Sequence, residues 1–255
     1  MSDDIARARA LLRDAATAVV LTGAGISAES GVPTFRGGSG LWGQFRAEDL
    51  ATPEAFARDP RLVWEWYAWR RTLVAECAPN AAHRALAEWA LHRGTVTIVT
   101  QNVDGLHARA AREAAGQDDP ARALPLEVHG SLFRDKCSGC GMRSDPVPVD
   151  ATSVATLPRC PRCGALLRPD VVWFGEMLDE HVLAAADSAA ATADVCLVIG
   201  TSALVYPAAS LPLRTRAHGG VVIEVNPEET PLTRAAEISI RGPAAAVVPQ
   251  LLNEG

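Results

Sequence analysis

The chain has 255 residues, 48% of them hydrophobic, enough for a buried core in one large or two small domains. Its net charge of −6 argues against a general basic surface for nucleic acid or an anionic membrane, and its apolar runs fall far short of the ~20 residues of a membrane span. The acidic amino terminus lacks a charged-then-apolar leader, so a cytoplasmic globular protein is expected, a monomer without nucleic-acid or membrane partners. Lys136 is the only lysine among 24 basic residues, which reads as compositional bias.

Apolar positions Ile5, Ala8, Leu11 and Leu12 recur at a helical period over residues 4–14, and residues 18–21 read as a buried strand. Gly23-Ala24-Gly25-Ile26-Ser27-Ala28 then matches G-x-G-x-x-A, in which glycines allow a tight turn and close backbone approach to a pyrophosphate at a helix amino terminus. The second strand of a Rossmann unit does not follow at once. Glu48 and Asp49 lie near the distance of its acidic residue but have no strand before them. The glycine-rich stretch 31–38 reads instead as a lid over a dinucleotide held in a variant manner. Helical sequence runs from about Pro53 to Arg93.

Core strands are predicted at 96–99, at 126–128 ending in His129-Gly130, at Val195–Ile199 and at Val221–Val225, with Ile238–Ile240 as an edge. Helices at about 180–191 and 207–217 complete an α/β alternation, which predicts a Rossmann-like doubly wound parallel sheet. Residues 132–168, rich in Cys, Pro, Arg and Gly, interrupt it as part of a smaller zinc-binding lobe. The expected organisation is one unit over 1–255. Its large domain takes about 1–36, 94–131 and 169–255, and its small lobe comes from insertions at about 37–93 (helical) and 132–168 (zinc-binding).

Four strand exits carry polar or glycine-rich turns: Gly23-Ala24-Gly25, Gln101-Asn102-Val103-Asp104, Gly200-Thr201-Ser202 and Asn226-Pro227-Glu228. One such exit is an ordinary Asx turn or helix cap. Four together describe a nucleotide site, because in an open α/β sheet the ligand crevice lies outside the carboxyl ends of the strands. His129 stands at a further exit, whereas His83, His92, His107, His181 and His218 fall in predicted helices. A histidine titrating near pH 6.5 suits general base work at neutral pH.

Cys137-Ser138-Gly139-Cys140 and Cys160-Pro161-Arg162-Cys163 are two C-x-x-C knuckles separated by 19 residues. They supply four thiolates for one tetrahedral zinc, leaving no open position, so the metal is expected to be structural. Two disulfides would conflict with the cytoplasmic expectation. Cys77 and Cys196 sit in apolar helical or strand patterns.

The ordered set of these motifs, with Pro33-Thr34-Phe35-Arg36, His129-Gly130 and Val172-Trp173-Phe174-Gly175-Glu176, resembles the sirtuins over nearly the whole chain. The resemblance implies an NAD-consuming protein-lysine deacylase. It implies that the acyl-lysine carbonyl oxygen attacks the ribose carbon bearing nicotinamide, which leaves into a pocket lined by Asn102, Val103 and Asp104. His129 then deprotonates a ribose hydroxyl, ending in free lysine and O-acyl-ADP-ribose. Thr34, Phe35 and Arg36 belong to the implied cofactor loop, which closes over the reacting centre. Gly200, Thr201, Ser202, Asn226, Pro227, Glu228 and Ala244 resemble adenosine-side contacts. Val172, Phe174, Gly175, Glu176 and Tyr206 resemble substrate contacts, the first four in a segment that pairs with the peptide as an added strand.

Tyr67 and Arg70 are three apart in a helical pattern and share one face. They resemble the Tyr-x-x-Arg pair of the sirtuin subgroup that prefers succinyl, malonyl and glutaryl lysine, as do Val63-Trp64-Glu65, Arg71 and the small residue Ala51. A guanidinium fork plus a phenol suits a carboxylate. Packing of this helix on the core with Arg70 in solvent is the structural alternative. Other functional readings are a plain deacetylase, an ADP-ribosyltransferase side activity, or a non-catalytic NAD or ADP-ribose sensor.

Overall fold

A computed structural model of the chain describes residues 2–32 and 47–252. Helix α1 (Ser2–Asp14) leads into strand β1 (Ala18–Thr22) and a 3-10 helix over Ala24–Ser30. After α2 (Ala47–Leu50), the long helical stretch is three pieces: α3 (Pro53–Arg58), α4 (Pro60–Ala75) and α5 (Ala81–Arg93). Local chemistry sets the breaks. Thr52 caps α3 with Pro53 in its first turn, and the Asp59 carboxylate accepts from Leu62 N at 3.0 Å to start α4 with Pro60 there. Asn80 and His83 form a reciprocal capping box on α5. Cys77 lies just beyond α4 instead of inside a helix.

Next come β2 (Val96–Thr100), α6 (Leu106–Ala115), β3 (Leu126–Glu127), β4 (Gly130–Cys137), β5 (Arg143–Ser144), β6 (Leu167–Val171), α7 (Glu180–Thr192), β7 (Val195–Ile199), α8 (Leu211–Ala217), β8 (Val221–Val225), β9 (Ile238–Ile240) and α9 (Ala244–Leu252). His218 follows α8 as its carboxyl cap. The main sheet has order β3-β2-β1-β7-β8-β9, and its pairings are parallel. Counted along the chain within that sheet, the order is 3-2-1-4-5-6, the doubly wound Rossmann arrangement, with the order reversing between β1 and β7. A second sheet, β5-β4-β6, is antiparallel.

The central strands are apolar at successive positions because both faces are covered. Val20, Ile98, Leu197 and Ile223 pack toward α1, α5, α6 and α9, while Val19, Leu21, Val99 and Cys196 pack toward α7 and α8. A separate cluster joins Trp64, Trp66 and Tyr67 of α4 to Leu132, Leu167 and Trp173. Among the described residues no helix is long and apolar enough to cross a membrane.

At the reversal point the two strand exits touch. Gly25 N donates to Gly200 O at 2.7 Å, and a Cβ on Gly25 would lie 2.7 Å from Gly200 Cα. Backbone on both sides leaves little room to yield. Gly25→Ala is therefore expected to cost roughly 1–3 kcal/mol, which lowers the melting midpoint by several degrees in a chain of this size. A thermal melt matching wild type would show that the two loops separate freely.

Candidate active site

Because the strands of the main sheet are parallel, their carboxyl ends share one edge, and hydrogen bonds knit the predicted exits together there. Asn102 Nδ2 donates to Gly23 O and to Ser27 Oγ, each at 3.1 Å. Gln101 Nε2 donates to Thr201 Oγ1 at 3.0 Å, and Asn226 Nδ2 to Thr201 O at 2.9 Å. With both amide hydrogens of Asn102 engaged, its Oδ1 is the atom left to accept from a ligand. Ser27 Oγ donates to Asp104 Oδ2 at 2.7 Å, and Asp104 Oδ1 accepts Leu106 N at 2.9 Å at the start of α6. Burial raises the Asp104 carboxyl, opposed by those hydrogen bonds.

Beneath this cluster lies a buried polar layer that the sequence pattern did not mark. His83 is fully buried 3.4 Å from Ser27 Oγ, and its ring meets that of His107 edge-on at 4.8 Å. His107 Nε2 pairs with Thr22 Oγ1 at 2.9 Å, which in turn donates to Thr100 Oγ1 at 2.8 Å. Burial pushes His83 down to about 4 and His107 well below its usual range, so both rings are neutral. The only local clue was that His83 stands third after Asn80, where a capping-box partner belongs.

His129 lies between β3 and β4. Its Nδ1 is 2.9 Å from Gln101 O. A carbonyl only accepts, so Nδ1 carries the proton and Nε2 is left bare, the arrangement of a base. Burial lowers the imidazole pKa, partly offset by that hydrogen bond, and keeps the ring neutral at pH 7.

A cavity of roughly 170 Å³ opens at the same edge, lined by Asn102, Val103 and Asp104, by Ala24 and Gln101, and by Arg70 of α4. Arg70 is 8% exposed, with its guanidinium 4.6 Å from the Trp66 ring centre and 5.3 Å from that of Tyr67. It is not turned to solvent. Burial pushes its pKa down to about 10, which leaves it charged at neutral pH. Tyr67, packed against Arg70, and Ala51 are both buried, and neither is among the cavity's lining residues. Tyr67 Oη accepts from Trp173 Nε1 at 2.9 Å, and Ala51 O accepts from Phe174 N at 2.9 Å.

The remaining predicted residues sort by exposure. Ala28 is exposed on the 3-10 helix, Pro227 and Glu228 are exposed, and Ser202 and Gly25 are partly covered. Ala244 is buried in the core at the start of α9, where the adjacent Ala245 N donates to Glu29. Phe174 and Tyr206 are 54% and 70% exposed, Val172 N donates to His129 O, and Gly175 has a positive φ of 86°. The Glu176 carboxylate is turned inward: it pairs with Arg168 and accepts Trp173 N at 2.9 Å. Thr34, Phe35 and Arg36 lie outside the described residues.

The sulfur atoms of Cys137, Cys140, Cys160 and Cys163 lie within 4.8 Å of one another. Two of their separations are 3.4 Å (Cys137 to Cys163) and 3.7 Å (Cys140 to Cys160), too long for disulfides. Tetrahedral zinc with bonds near 2.3 Å places its sulfurs about 3.8 Å apart, so the donor set fits one structural zinc. Cys140 N and Gly139 N point at Cys137 Sγ, each at 3.3 Å, and draw that thiol down to about 6.

The Sir2 family model matches residues 23–207. An NAD-dependent protein deacylase of Pyrococcus furiosus is 49% identical over 247 residues, covering 96% of this chain and 95% of that protein. One of Thermus thermophilus is 51% identical over 240 residues, covering 92% and 88%. Among solved structures, a Sir2 homologue in complex with NAD is similar with a TM-score of 0.85 at 47% identity, covering 97% of this chain and 92% of that one. A mutant Sir2 homologue in complex with ADP-ribose is similar with a TM-score of 0.84 at 46% identity, covering 96% and 94%.

Proposed function

The chain belongs to the Sir2 (sirtuin) family, and from that premise we propose that it is an NAD-dependent protein-lysine deacylase that prefers acidic acyl groups, succinyl and malonyl above all. The observation that carries the enzymatic half is the convergence of Asn102, Asp104 and a His129 with a bare Nε2 on one sheet edge. A sensor that only bound NAD would have no use for that base. Asn102 Oδ1 and the Asp104 cluster suit the carboxamide of nicotinamide, Gly23 to Gly25 and Gly200 to Ser202 allow close approach of a pyrophosphate, and Asn226 borders the adenosine side. His129 Nε2 takes the proton of a ribose hydroxyl once nicotinamide has left.

The acyl preference rests on Arg70. Its guanidinium is charged, nearly buried and lines the reaction cavity beside a phenol, a donor fork whose geometry suits the carboxylate of a succinyl or malonyl group. Charge-assisted hydrogen bonds of ~1.5–3 kcal/mol correspond to about ten- to a hundredfold in kcat/KM. Arg70→Met is expected to lower succinyl-peptide turnover by that factor and acetyl-peptide turnover much less. Tyr67→Phe should give a smaller loss with the same selectivity. A panel of acetyl, succinyl, malonyl and glutaryl peptides with NAD decides: a wild type that prefers acetyl removes the acidic preference and leaves the deacylase reading intact.

A further inference from the structure

The segment assigned to the substrate peptide is tied to both acyl determinants by consecutive residues. Trp173 Nε1 donates to Tyr67 Oη and Phe174 N donates to Ala51 O, each at 2.9 Å. Trp173 is 2% exposed and held on several sides. The Arg168 guanidinium lies 3.3 Å from its ring centre and Phe56 packs at 5.3 Å. Arg168 is itself fixed by Val171 O at 2.6 Å and by the Glu176 carboxylate, which also accepts Trp173 N. The indole cannot turn without breaking this buried set of contacts.

A phenol oxygen donates one hydrogen bond and accepts others. With the indole N–H aimed at that oxygen and the Arg70 guanidinium over the ring, Tyr67 is met by donors, and its own proton is what it has to offer. A carboxylate takes that proton, whereas an acetyl methyl does not. We propose that Trp173 is a positioning residue for acyl selectivity: its indole N–H holds Tyr67 Oη as a hydrogen-bond donor toward an acidic acyl group. The inference rests on the acyl preference proposed above.

The test is a double-mutant cycle on the ratio of succinyl to acetyl kcat/KM. Trp173→Phe is expected to lower the ratio by ~3- to 10-fold, the size of one neutral hydrogen bond, through the KM of the succinyl peptide. In a Tyr67→Phe background the same change should alter the ratio by less than about 2-fold, because the oxygen it orients is gone. Benzothienylalanine at position 173 keeps the bicyclic shape and replaces N–H by sulfur. It gives the same readout without opening a cavity. A parallel fall for both substrates, or an equal fall in the ratio with and without the Tyr67 hydroxyl, overturns the inference. A preference that responds to Tyr67→Phe but not to Trp173 sinks it alone, whereas a wild type without acidic preference overturns it together with the reading on which it stands.

Discussion

His129→Ala is expected to fold, to bind NAD with near-normal affinity and to lose deacylation by ~10²–10⁴, the contribution of a positioned general base. Among the described residues the side chain makes one hydrogen bond, to Gln101 O, so its loss leaves a gap beside the crevice without cutting the links among Gly23, Asn102 and Asp104. Binding and turnover should therefore separate. Nicotinamide release should survive better than acyl-lysine consumption, because the base acts after nicotinamide has departed. Single-turnover measurement of both products checks this, and near-normal deacylation would remove His129 from the mechanism.

As the proposed base, the same residue is expected to set the acid limb of the pH profile. A base works in its neutral form, and burial lowers the His129 pKa more than its hydrogen bond raises it. The midpoint of its protonation thus lies below the ordinary value of about 6.5, and the acid limb of kcat/KM for acyl-peptide should be centred below that pH. An acid limb centred above 6.5 would mean that a different group titrates.

What the chain discloses by itself is what local chemistry controls. The caps Thr52, Asp59 and Asn80, though each acts within three residues, divide a stretch whose pattern reads as helical throughout from about Pro53 to Arg93, but strand exits such as Gly23 to Gly25 or Gln101 to Asp104 stand out because turns are polar for local reasons. The two C-x-x-C knuckles are legible for the same reason. What needed the structure is long-range. The 3-2-1-4-5-6 order that places Gly25 against Gly200 is a property of packing, not of either segment. Ser27 looked like one more small residue in a glycine turn until it met Asn102 and Asp104, some 75 positions away. Trp173 stands in a motif that resembles a substrate-peptide segment, and its N–H acquires meaning only beside Tyr67, 106 residues earlier. Glu176 shows the reverse: its motif resembles a substrate contact, yet its carboxylate is spent on Arg168 and Trp173 N.

Removing the metal is expected to unfold the β5-β4-β6 sheet and abolish deacylation while sparing the main sheet. The antiparallel sheet is small, with two residues in β5, and its loops are rich in proline and glycine, so burial alone gives it little stability. Structural zinc supplies ~10–16 kcal/mol in isolated peptides, comparable to a domain's whole net stability. Ligands from both knuckles lie at the ends of β4 and β6, since Cys137 closes β4 and Cys160 and Cys163 precede β6. Loss of the ion would release these strands from each other. The damage reaches the site through Gly130, which pairs with Val171, and through Val172 N, which holds His129 O. His129 would lose its position, whereas the contacts among Gly23, Gly200, Thr201 and Asn226 belong to the main sheet and should persist. Chelation, or Cys160→Ala, should therefore strip amide-exchange protection from residues 130–171 and stop turnover, with ADP-ribose still bound. One zinc per chain is expected by metal analysis. Well-protected, active protein containing no metal would show that the four cysteines pack as thiols and that the lobe stands without an ion.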